Sequence, residues 1–254
     1  MHQPTLRVLQ VLEQFAKVDT SLRLTDLSRE LSIPKSTLLP ILQTLCQQKY
    51  LAQDDLGRYG PGVSLFSLSS TFSGSFPVLE YARQHLHTLV KKLGETCFFG
   101  VLDGGHVLYL EKVESPQPLR MLTSVGRHLP AYATGIGKAL LMEKTIPQLQ
   151  SLYPDPLTPL TENTVTELPQ LYSQLRQARQ DGYTWEVEES TPHVRCFAAP
   201  IRKHGAIVAA VSVTIPLFRY EESQKERLLS LLQTTANTIQ ETLEQTDAHF
   251  TDIF

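Results

Sequence analysis

Residues 24–50 read LTDLSRELSIPKSTLLPILQTLCQQKY, and this stretch decides the fold of the N-terminal part of the chain. The run from Leu24 to Leu31 predicts a short amphipathic helix, which Thr25 is placed to cap. Ser32-Ile33-Pro34 then interrupts the helical pattern as a tight connector. The apolar stripe of the next helix consists of Leu38, Ile41, Leu42 and Leu45. Two amphipathic helices joined by so short a connector are typical of a helix-turn-helix.

The flanking sequence extends this unit on both sides. Residues Pro4 to Val18 carry apolar side chains at helical spacing, and Pro4 suits a first helical turn. After the third helix, two strand-like runs flank Asp54-Asp55-Leu56-Gly57, which has the composition of a hairpin turn. Periodicity alone would also fit a small three-helix bundle. The order of three helices and a hairpin favours a winged helix-turn-helix that binds double-stranded DNA.

The third helix is expected to present polar side chains to DNA. Lys35, Ser36 and Thr37 stand at its start, where free backbone N–H groups and hydroxyls favour contact with phosphate. Gln43 lies on the exposed face and can read an adenine edge, whereas Arg58 on the hairpin can reach a phosphate or the minor groove.

Pro40 is the anomaly of this helix. Inside a helix, proline removes the hydrogen bond to the carbonyl four residues earlier and costs about 3 kcal/mol. Either the helix kinks, or its regular part begins only near Pro40. We expect a kink, because the apolar stripe continues across this position.

Composition sets the broad class of protein. The chain has 254 residues, of which 41% are hydrophobic and 19% charged, enough for one sizeable core and a second small one. Its longest apolar runs, such as Ile207 to Val213, are far shorter than the roughly 18 residues of a membrane span, and the N-terminal residues lack an apolar signal core. These features predict a cytosolic protein with no membrane contact.

Cysteine and charge patterns give weaker guidance. Three scattered cysteines, without a CxxC or HxxxH pair, predict reduced thiols, no metal site and no cofactor. Residues 1–60 carry seven Lys and Arg against six Asp and Glu, whereas residues 61–254 carry sixteen against twenty. The asymmetry has the sign expected for an N-terminal DNA-binding domain but is too small to indicate one alone.

A linker joins this unit to the rest of the chain. Gly62 to Gly74 is rich in serine and apolar residues and predicts a helix whose exposed hydrophobic side chains pack against another chain. The alternative is burial against its own hairpin. Pro77 to Leu93 then predicts an amphipathic helix that ends at Gly94.

The C-terminal part alternates strands and helices, which predicts an α+β sensor fold. Asp103-Gly104-Gly105 has the composition of a hairpin turn. The predicted strands are Thr96–Asp103, His106–Val113, Leu119–Thr123, Tyr183–Val187, Val194–Arg202 and Ile207–Ile215. The predicted helices are Gly135–Met142, Ile146–Leu152, Glu167–Asp181 and a last helix from Tyr220 to about Gln245.

A ligand pocket is predicted from local chemistry. Thr134 to Gly137 opens a helix, whose unpaired N–H groups can hold a small carboxylate, although a glycine turn needed only for packing is the alternative. Because Ala139 follows Lys138, the segment is not a nucleotide-binding loop. Ser212 and Thr214 share one face of their strand.

Two further strands contribute to this pocket. Val194 and Cys196 also share a face, and Glu186 can accept a hydrogen bond from a ligand hydroxyl. A catalytic reading is disfavoured, because His193 and Cys196 are three apart on a strand and therefore point to opposite faces. A GxSxG motif is also absent from the sequence.

Several motifs resemble those of IclR-type transcriptional regulators. In the N-terminal part they are Arg7–Glu13, Leu24–Leu27, Lys35–Thr37 and Gly57–Tyr59. In the C-terminal part they are Gly126–Pro130, Ala133–Ala139, Gly182–Tyr183, Glu188–Glu189, Val194–Pro200 and Ala209–Val213. The resemblance spans nearly the whole chain in the same order. The chain departs from the family at Pro40, where a polar or basic residue is usual.

The resemblance implies a regulator with two functional parts. It adds Arg7 to the candidate DNA-binding residues. It also implies that small organic acids bind through the following residues: Met121, Leu129, Gly135, Ile136, Glu186, Cys196, Ser212 and Thr214. Glu186 stands where a family member has Asp, and its extra methylene should shrink the pocket or shift the hydrogen bond.

We therefore expect three segments. They are a winged helix-turn-helix at residues 1–61, a linker helix at residues 62–76 and a GAF-like effector-binding domain at residues 77–254. The expected protein is a homodimer or tetramer that represses a catabolic operon until a small organic or sugar acid binds and alters its fit to a DNA operator. Two alternatives are a sensor that has lost DNA binding and an enzyme acting on small acids.

Overall fold

The computed structural model describes residues 1–18, 20–74, 77–118 and 123–245. Its contacts divide the chain into an N-terminal unit, Met1–Ser75, and a C-terminal unit, Phe76–Phe254. No helix in these described ranges is long and apolar enough to cross a membrane.

The N-terminal unit has the winged helix-turn-helix order that the sequence predicts. Its elements are α1 (Gln3–Lys17), β1 (Leu22–Arg23), α2 (Leu24–Glu30), α3 (Lys35–Gln47), β2 (Leu51–Gln53), β3 (Arg58–Pro61) and α4 (Val63–Gly74). The three strands form an antiparallel sheet in the order β1-β3-β2. Leu27, Leu38 and Leu42 are fully buried in the hydrophobic core of this unit and hold α2 against α3.

The predicted cap of α2 is wrong. The helix begins at Leu24 and places Thr25 inside its first turn, while Arg23 occupies the capping position. Arg23 has this role because it is the last residue of β1, so that the extended chain turns directly into the helix. The carboxylate of Asp26 accepts the Arg23 N–H at 3.1 Å and so satisfies a donor at the helix start.

Helix α3 runs without interruption from Lys35 to Gln47 and contains Pro40. The reading in which regular helix begins only near Pro40 is therefore wrong, and a kink there stays a prediction. The proline removes only the bond to the carbonyl of Ser36, which is an exposed residue. On the opposite side the buried leucines of the stripe hold the helix in place.

The C-terminal unit is α+β, as predicted. Its helices are α5 (Pro77–Leu93), α6 (Gly135–Leu141), α7 (Ile146–Leu152), α8 (Leu168–Asp181) and α9 (Lys225–Gln245). Its strands are β4 (Thr96–Asp103), β5 (His106–Val113), β6 (His128–Pro130), β7 (Thr184–Val187), β8 (Val194–Lys203) and β9 (Ala206–Pro216). They form one antiparallel sheet in the order β6-β5-β4-β9-β8-β7.

This sheet separates two hydrophobic cores. Helices α5 and α9 cover one face, to which β9 contributes Val211 and Val213. Helices α6, α7 and α8 cover the other face. Because side chains alternate along β9, Ser212 and Thr214 point away from the first core, as the sequence predicts.

Two element predictions in this unit need correction. The predicted strand at residues 119–123 lies mostly outside the described residues, and its one described member, Thr123, is not in a strand. The last helix begins at Lys225 rather than Tyr220, because Tyr220 and Glu221 are extended and separate two short 3₁₀ turns. The Gly104-Gly105 hairpin is confirmed, with positive φ at both glycines.

Candidate functional site

A small cavity lies in the C-terminal unit where the start of α6 faces strands β7, β8 and β9. Six of the predicted effector-binding residues line it: Leu129, Gly135, Glu186, Cys196, Ser212 and Thr214. Ile136 is buried but is not part of the wall, and Met121 lies outside the described residues. The free space is about 20 Å³, room for roughly one water molecule.

Strand register brings the polar members of this wall together. Glu186 lies opposite Cys196 on β8, and Cys196 lies opposite Thr214 on β9. The three side chains therefore form a row across neighbouring strands, on the face that α6 covers. The Thr214 hydroxyl donates to the Cys196 Sγ at 3.7 Å.

Ser212 is the unsatisfied group of the cavity. Its side chain is 1% exposed, and its Oγ has no hydrogen-bond partner of normal geometry among the described residues, only a weak polar contact with the Cys196 thiol. A buried hydroxyl without a partner costs about 1–3 kcal/mol. A ligand that bonds this hydroxyl would therefore recover free energy that the protein alone does not.

The glycine turn at the start of α6 serves packing. A Cβ at Gly135 would lie 2.8 Å from the Cys196 Sγ, and a Cβ at Gly137 would lie 2.2 Å from the Ala131 carbonyl oxygen. The Thr134 Oγ1 caps the helix by accepting the Gly137 N–H at 3.0 Å. The packing role that the sequence left as an alternative therefore holds for both glycines, while Gly135 also lines the cavity.

The sequence predicts that Glu186 accepts a hydrogen bond from a ligand hydroxyl. In the structure the Glu186 carboxylate already has two donors within the protein. Its carboxylate accepts the Glu189 N–H at 2.8 Å and the Ser190 hydroxyl at 3.3 Å. Burial of the charged form raises the pKa of Glu186 to about 7, despite the opposing effect of the Glu189 N–H. Near neutral pH a large share of Glu186 is therefore protonated and can donate a hydrogen bond.

A buried ion pair stands next to this carboxyl group. The Lys138 ammonium group bonds the Glu189 carboxylate, and both residues are almost fully buried. Burial lowers the pKa of Lys138, and its bond to Glu189 opposes that shift. The Glu189 Oε2 also accepts the Val165 N–H at 3.3 Å, while its backbone carbonyl accepts the Thr164 hydroxyl at 2.6 Å.

Sequence reasoning missed this pair and part of the cavity wall. Lys138 served only to exclude a nucleotide-binding loop, and local spacing cannot pair it with a residue 51 positions away. The other wall residues that were missed are Phe98, Tyr109, Thr123, Ser190 and Thr191. Alternation along β4 and β5 could have placed Phe98 and Tyr109.

The geometry gives no support to catalysis at Cys196. Burial raises the pKa of its thiol to about 12, so that the thiol is neutral at physiological pH and a poor nucleophile. His193 lies in the loop before β8 with positive φ, so the opposite strand faces expected from the sequence do not apply to it; its side chain is 89% exposed and lies beside Glu188. Among the described residues, no cluster of His, Cys, Asp or Glu could hold a metal ion.

The N-terminal unit carries the candidate DNA-binding residues. Lys35, Ser36 and Gln43 are exposed, whereas Thr37 and Arg7 are half-buried. Pro34 is the N-cap of α3 and supplies no side-chain cap within the described structure, so polar groups at the helix start remain open to a phosphate. The Arg58 Nε bonds the Asp54 carboxylate at 3.0 Å across the hairpin, which restrains its reach.

A winged helix-turn-helix and a separate α+β unit with a buried polar cavity define a regulator that couples a ligand to DNA. Residues 5–55 match the IclR helix-turn-helix domain. Residues 71–241 match the family described as bacterial transcriptional regulator IclR C-terminal. The chain therefore belongs to the IclR family of bacterial transcriptional regulators.

Known proteins resemble the chain over almost its whole length. The HTH-type transcriptional regulator XynR of Escherichia coli K12 is 32% identical over 234 residues, which cover 91% of this chain and 93% of XynR. The HTH-type transcriptional repressor AllR of Salmonella typhimurium LT2 is 30% identical over 236 residues, 92% of this chain and 87% of AllR.

A solved structure shows the same fold. An IclR homolog from Microbacterium hydrocarbonoxydans, complexed with 4-hydroxybenzoate, has a TM-score of 0.82 at 24% identity and covers 96% of this chain and 100% of that one. Family and relatives are transcriptional regulators. The chain is thus a ligand-responsive transcriptional regulator and not an enzyme.

Proposed function

We propose that this regulator is a cytoplasmic repressor of a catabolic operon and that a small organic or sugar acid controls it by binding the cavity of the C-terminal unit. The observation that carries the proposal is the buried, unpartnered Ser212 hydroxyl beside the row Glu186, Cys196 and Thr214. Support for the ligand class comes from the homolog complexed with 4-hydroxybenzoate, and support for repression from AllR.

The charges around the cavity favour the binding of a small acid only when Glu186 is protonated. Glu189 neutralises Lys138, so this ammonium group adds little net positive charge. An ionised Glu186 would repel a ligand carboxylate, whereas a protonated Glu186 would donate a hydrogen bond to it. We therefore propose that Glu186 is protonated in the complex, with Ser212 and Thr214 as further donors.

Binding requires the cavity to enlarge, because its present space admits about one water molecule. The movable wall is the loop of residues 188–193, which contributes Ser190 and Thr191. Both ends of this loop, Glu188 and His193, have positive φ without being glycine. Such strained positions are common where a protein changes conformation.

On the DNA side we propose phosphate contacts by Lys35, Ser36 and Thr37, adenine reading by Gln43, and backbone contacts by Arg58 and Arg7. The proposed segments remain a DNA-binding domain at residues 1–61, a linker at 62–76 and an effector domain at 77–254. Self-association through α4 completes the proposal, since Phe66 is 74% exposed and Leu68 is 56% exposed within the chain. This exposure argues against burial of these side chains on their own hairpin.

A thermal-shift screen with aldonic, uronic and keto acids tests the effector proposal, because a bound ligand raises the unfolding temperature by mass action. The acid that raises the unfolding temperature should also change the affinity of the protein for the DNA upstream of its own gene. An acid that stabilises Ser212→Phe as much as the unaltered protein would place the binding site elsewhere. A steep fall of DNA affinity with salt, with preference over random DNA, would reject a sensor that has lost DNA binding.

A further inference from the structure

The exposed face of α3 carries two apolar side chains among its polar ones. Leu38, Leu42 and Leu45 are buried, which leaves the opposite face of the helix to DNA. In the middle of that face stand Leu39, which is 39% exposed, and Pro40, which is also exposed. These two apolar side chains are available to the base pairs and are not needed by the core.

Besides the residues at its start, the exposed polar residues of α3 are Gln43, Thr44 and Gln47. Residues 36–47 contain neither Arg nor Lys, so the helix lacks the side chains that most often read guanine. The Thr44 hydroxyl donates to the Pro40 carbonyl at 2.9 Å and is therefore turned toward its own helix. Gln43 is then the exposed group in the central part of the face that can read a base edge through two hydrogen bonds.

We propose that α3 reads A·T base pairs, with Gln43 on an adenine and with Leu39 and Pro40 against the C5-methyl groups of thymines. Among the bases, thymine alone offers a methyl group in the major groove, and an apolar side chain recognises it by contact. Leu39 and Pro40 precede Gln43 by four and three residues, about 6 Å and about 4.5 Å along the helix at 1.5 Å per residue. These distances span one to two base pairs at about 3.4 Å each.

The inference rests on the DNA-binding function and gives Pro40 a positive role. Proline has no N–H to donate, and its ring presents a fixed apolar surface to the groove. The residue that weakens the helix thereby replaces a polar contact by a methyl contact. Loss of a methyl group should accordingly weaken binding by about threefold to fivefold, the equivalent of one buried methylene.

The test uses the full chain to select binding sites from random-sequence DNA, followed by anisotropy titrations. Each thymine of the selected half-site is replaced in turn by deoxyuridine, which lacks only the methyl group. We expect a threefold to fivefold loss of affinity at one or two positions. In Leu39→Ala and Pro40→Ala, replacing thymine by deoxyuridine should no longer lower the affinity. Gln43→Ala should bind DNA more weakly but should still lose affinity when deoxyuridine replaces thymine.

Controls separate this inference from the function on which it rests. Pro40→Ala removes a helix-breaking residue and so should fold at least as well as the unaltered chain. A selected site with G·C pairs at these positions, or affinity indifferent to deoxyuridine, would overturn the methyl readout while leaving DNA binding intact. If selection enriches no sequence at all, specific DNA reading itself fails, and the proposal on α3 fails with it.

Discussion

Lys138 of α6 and Glu189 of the loop after β7 form a buried ion pair in the C-terminal unit. The Glu189 N–H in turn donates to the Glu186 carboxylate in the cavity wall, at 2.8 Å. Glu189 thus connects the helix that bears the glycine turn to a carboxyl group in the cavity wall.

Removal of one member of the pair should be strongly destabilising. Lys138→Met leaves Glu189 buried without its partner, and we expect a loss of about 3–5 kcal/mol in the free energy of unfolding. The double variant with Glu189→Leu should recover much of that loss, because no charge is then left unpaired. Urea denaturation of both single variants and the double variant measures the coupling, and additive losses would show that the pair does not act as a unit.

The stability of the protein should depend on pH through Glu186. Its pKa of about 7 in the folded protein lies above the ordinary value of 4.5, so the folded state holds the proton more tightly than the unfolded state. This contribution is fully present below pH 4.5 and is lost as pH rises to about 7. Glu186→Gln should remove up to about 3 kcal/mol of this dependence in denaturation at pH 5 and pH 8. An unchanged pH profile would contradict the assignment, and the exposed Glu162→Gln serves as control.

Effector affinity should fall as pH rises above 7. If the complex holds Glu186 protonated, each further pH unit makes that form about tenfold scarcer, and the affinity for a carboxylate falls in step. In Glu186→Gln the affinity should be flat from pH 6 to pH 8.5. Calorimetric titration across this range gives the slope, and stronger binding at high pH would exclude a protonated Glu186.

Ser212→Ala should stabilise the free protein and weaken its complex. The substitution removes a buried hydroxyl without a partner, so the free energy of unfolding should rise by about 1 kcal/mol. The effector-induced thermal shift should decrease, since the ligand loses a hydrogen bond. Ser230→Ala, at an exposed position of α9, should change neither quantity. A less stable variant with an undiminished ligand response would mean that this hydroxyl has a partner in the protein.

Self-association should depend on the exposed apolar side chains of α4. Phe66→Asp places a charge within the proposed contact, and we expect a monomer in sedimentation equilibrium at micromolar concentration. Ser230→Asp adds the same charge at an exposed position of α9, away from the proposed contact, and is the control. An unchanged mass for Phe66→Asp would move the interface away from α4.

Local sequence signals predicted the elements that are determined by local chemistry. Gly104 and Gly105 marked a hairpin because both need positive φ, and the alternation at Ser212 and Thr214 assigned a face because side chains alternate along a strand. The prediction of the α2 cap failed because it depends on tertiary pairing between strands. The N-cap of α2 moved from Thr25 to Arg23 because β1 pairs with β3.

Long-range contacts explain what sequence could not give at the site. Nothing near Lys138 in the chain indicates that Glu189 neutralises it or that Glu186 already has two donors. The size of the cavity also depends on how whole elements pack. The sequence therefore indicated which side chains meet there but not how little room they leave.

The close approach of Gly135 to Cys196 limits how this regulator can diversify. A single added carbon at Gly135 would lie 2.8 Å from the sulfur, so Gly135 cannot take a side chain unless Cys196 moves. If the effector occupies this cavity, the wall at Gly135 resists substitution, and a change of effector is expected to come from the loop that carries Ser190 and Thr191. A library randomised in that short segment is the economical route to biosensors built on this scaffold.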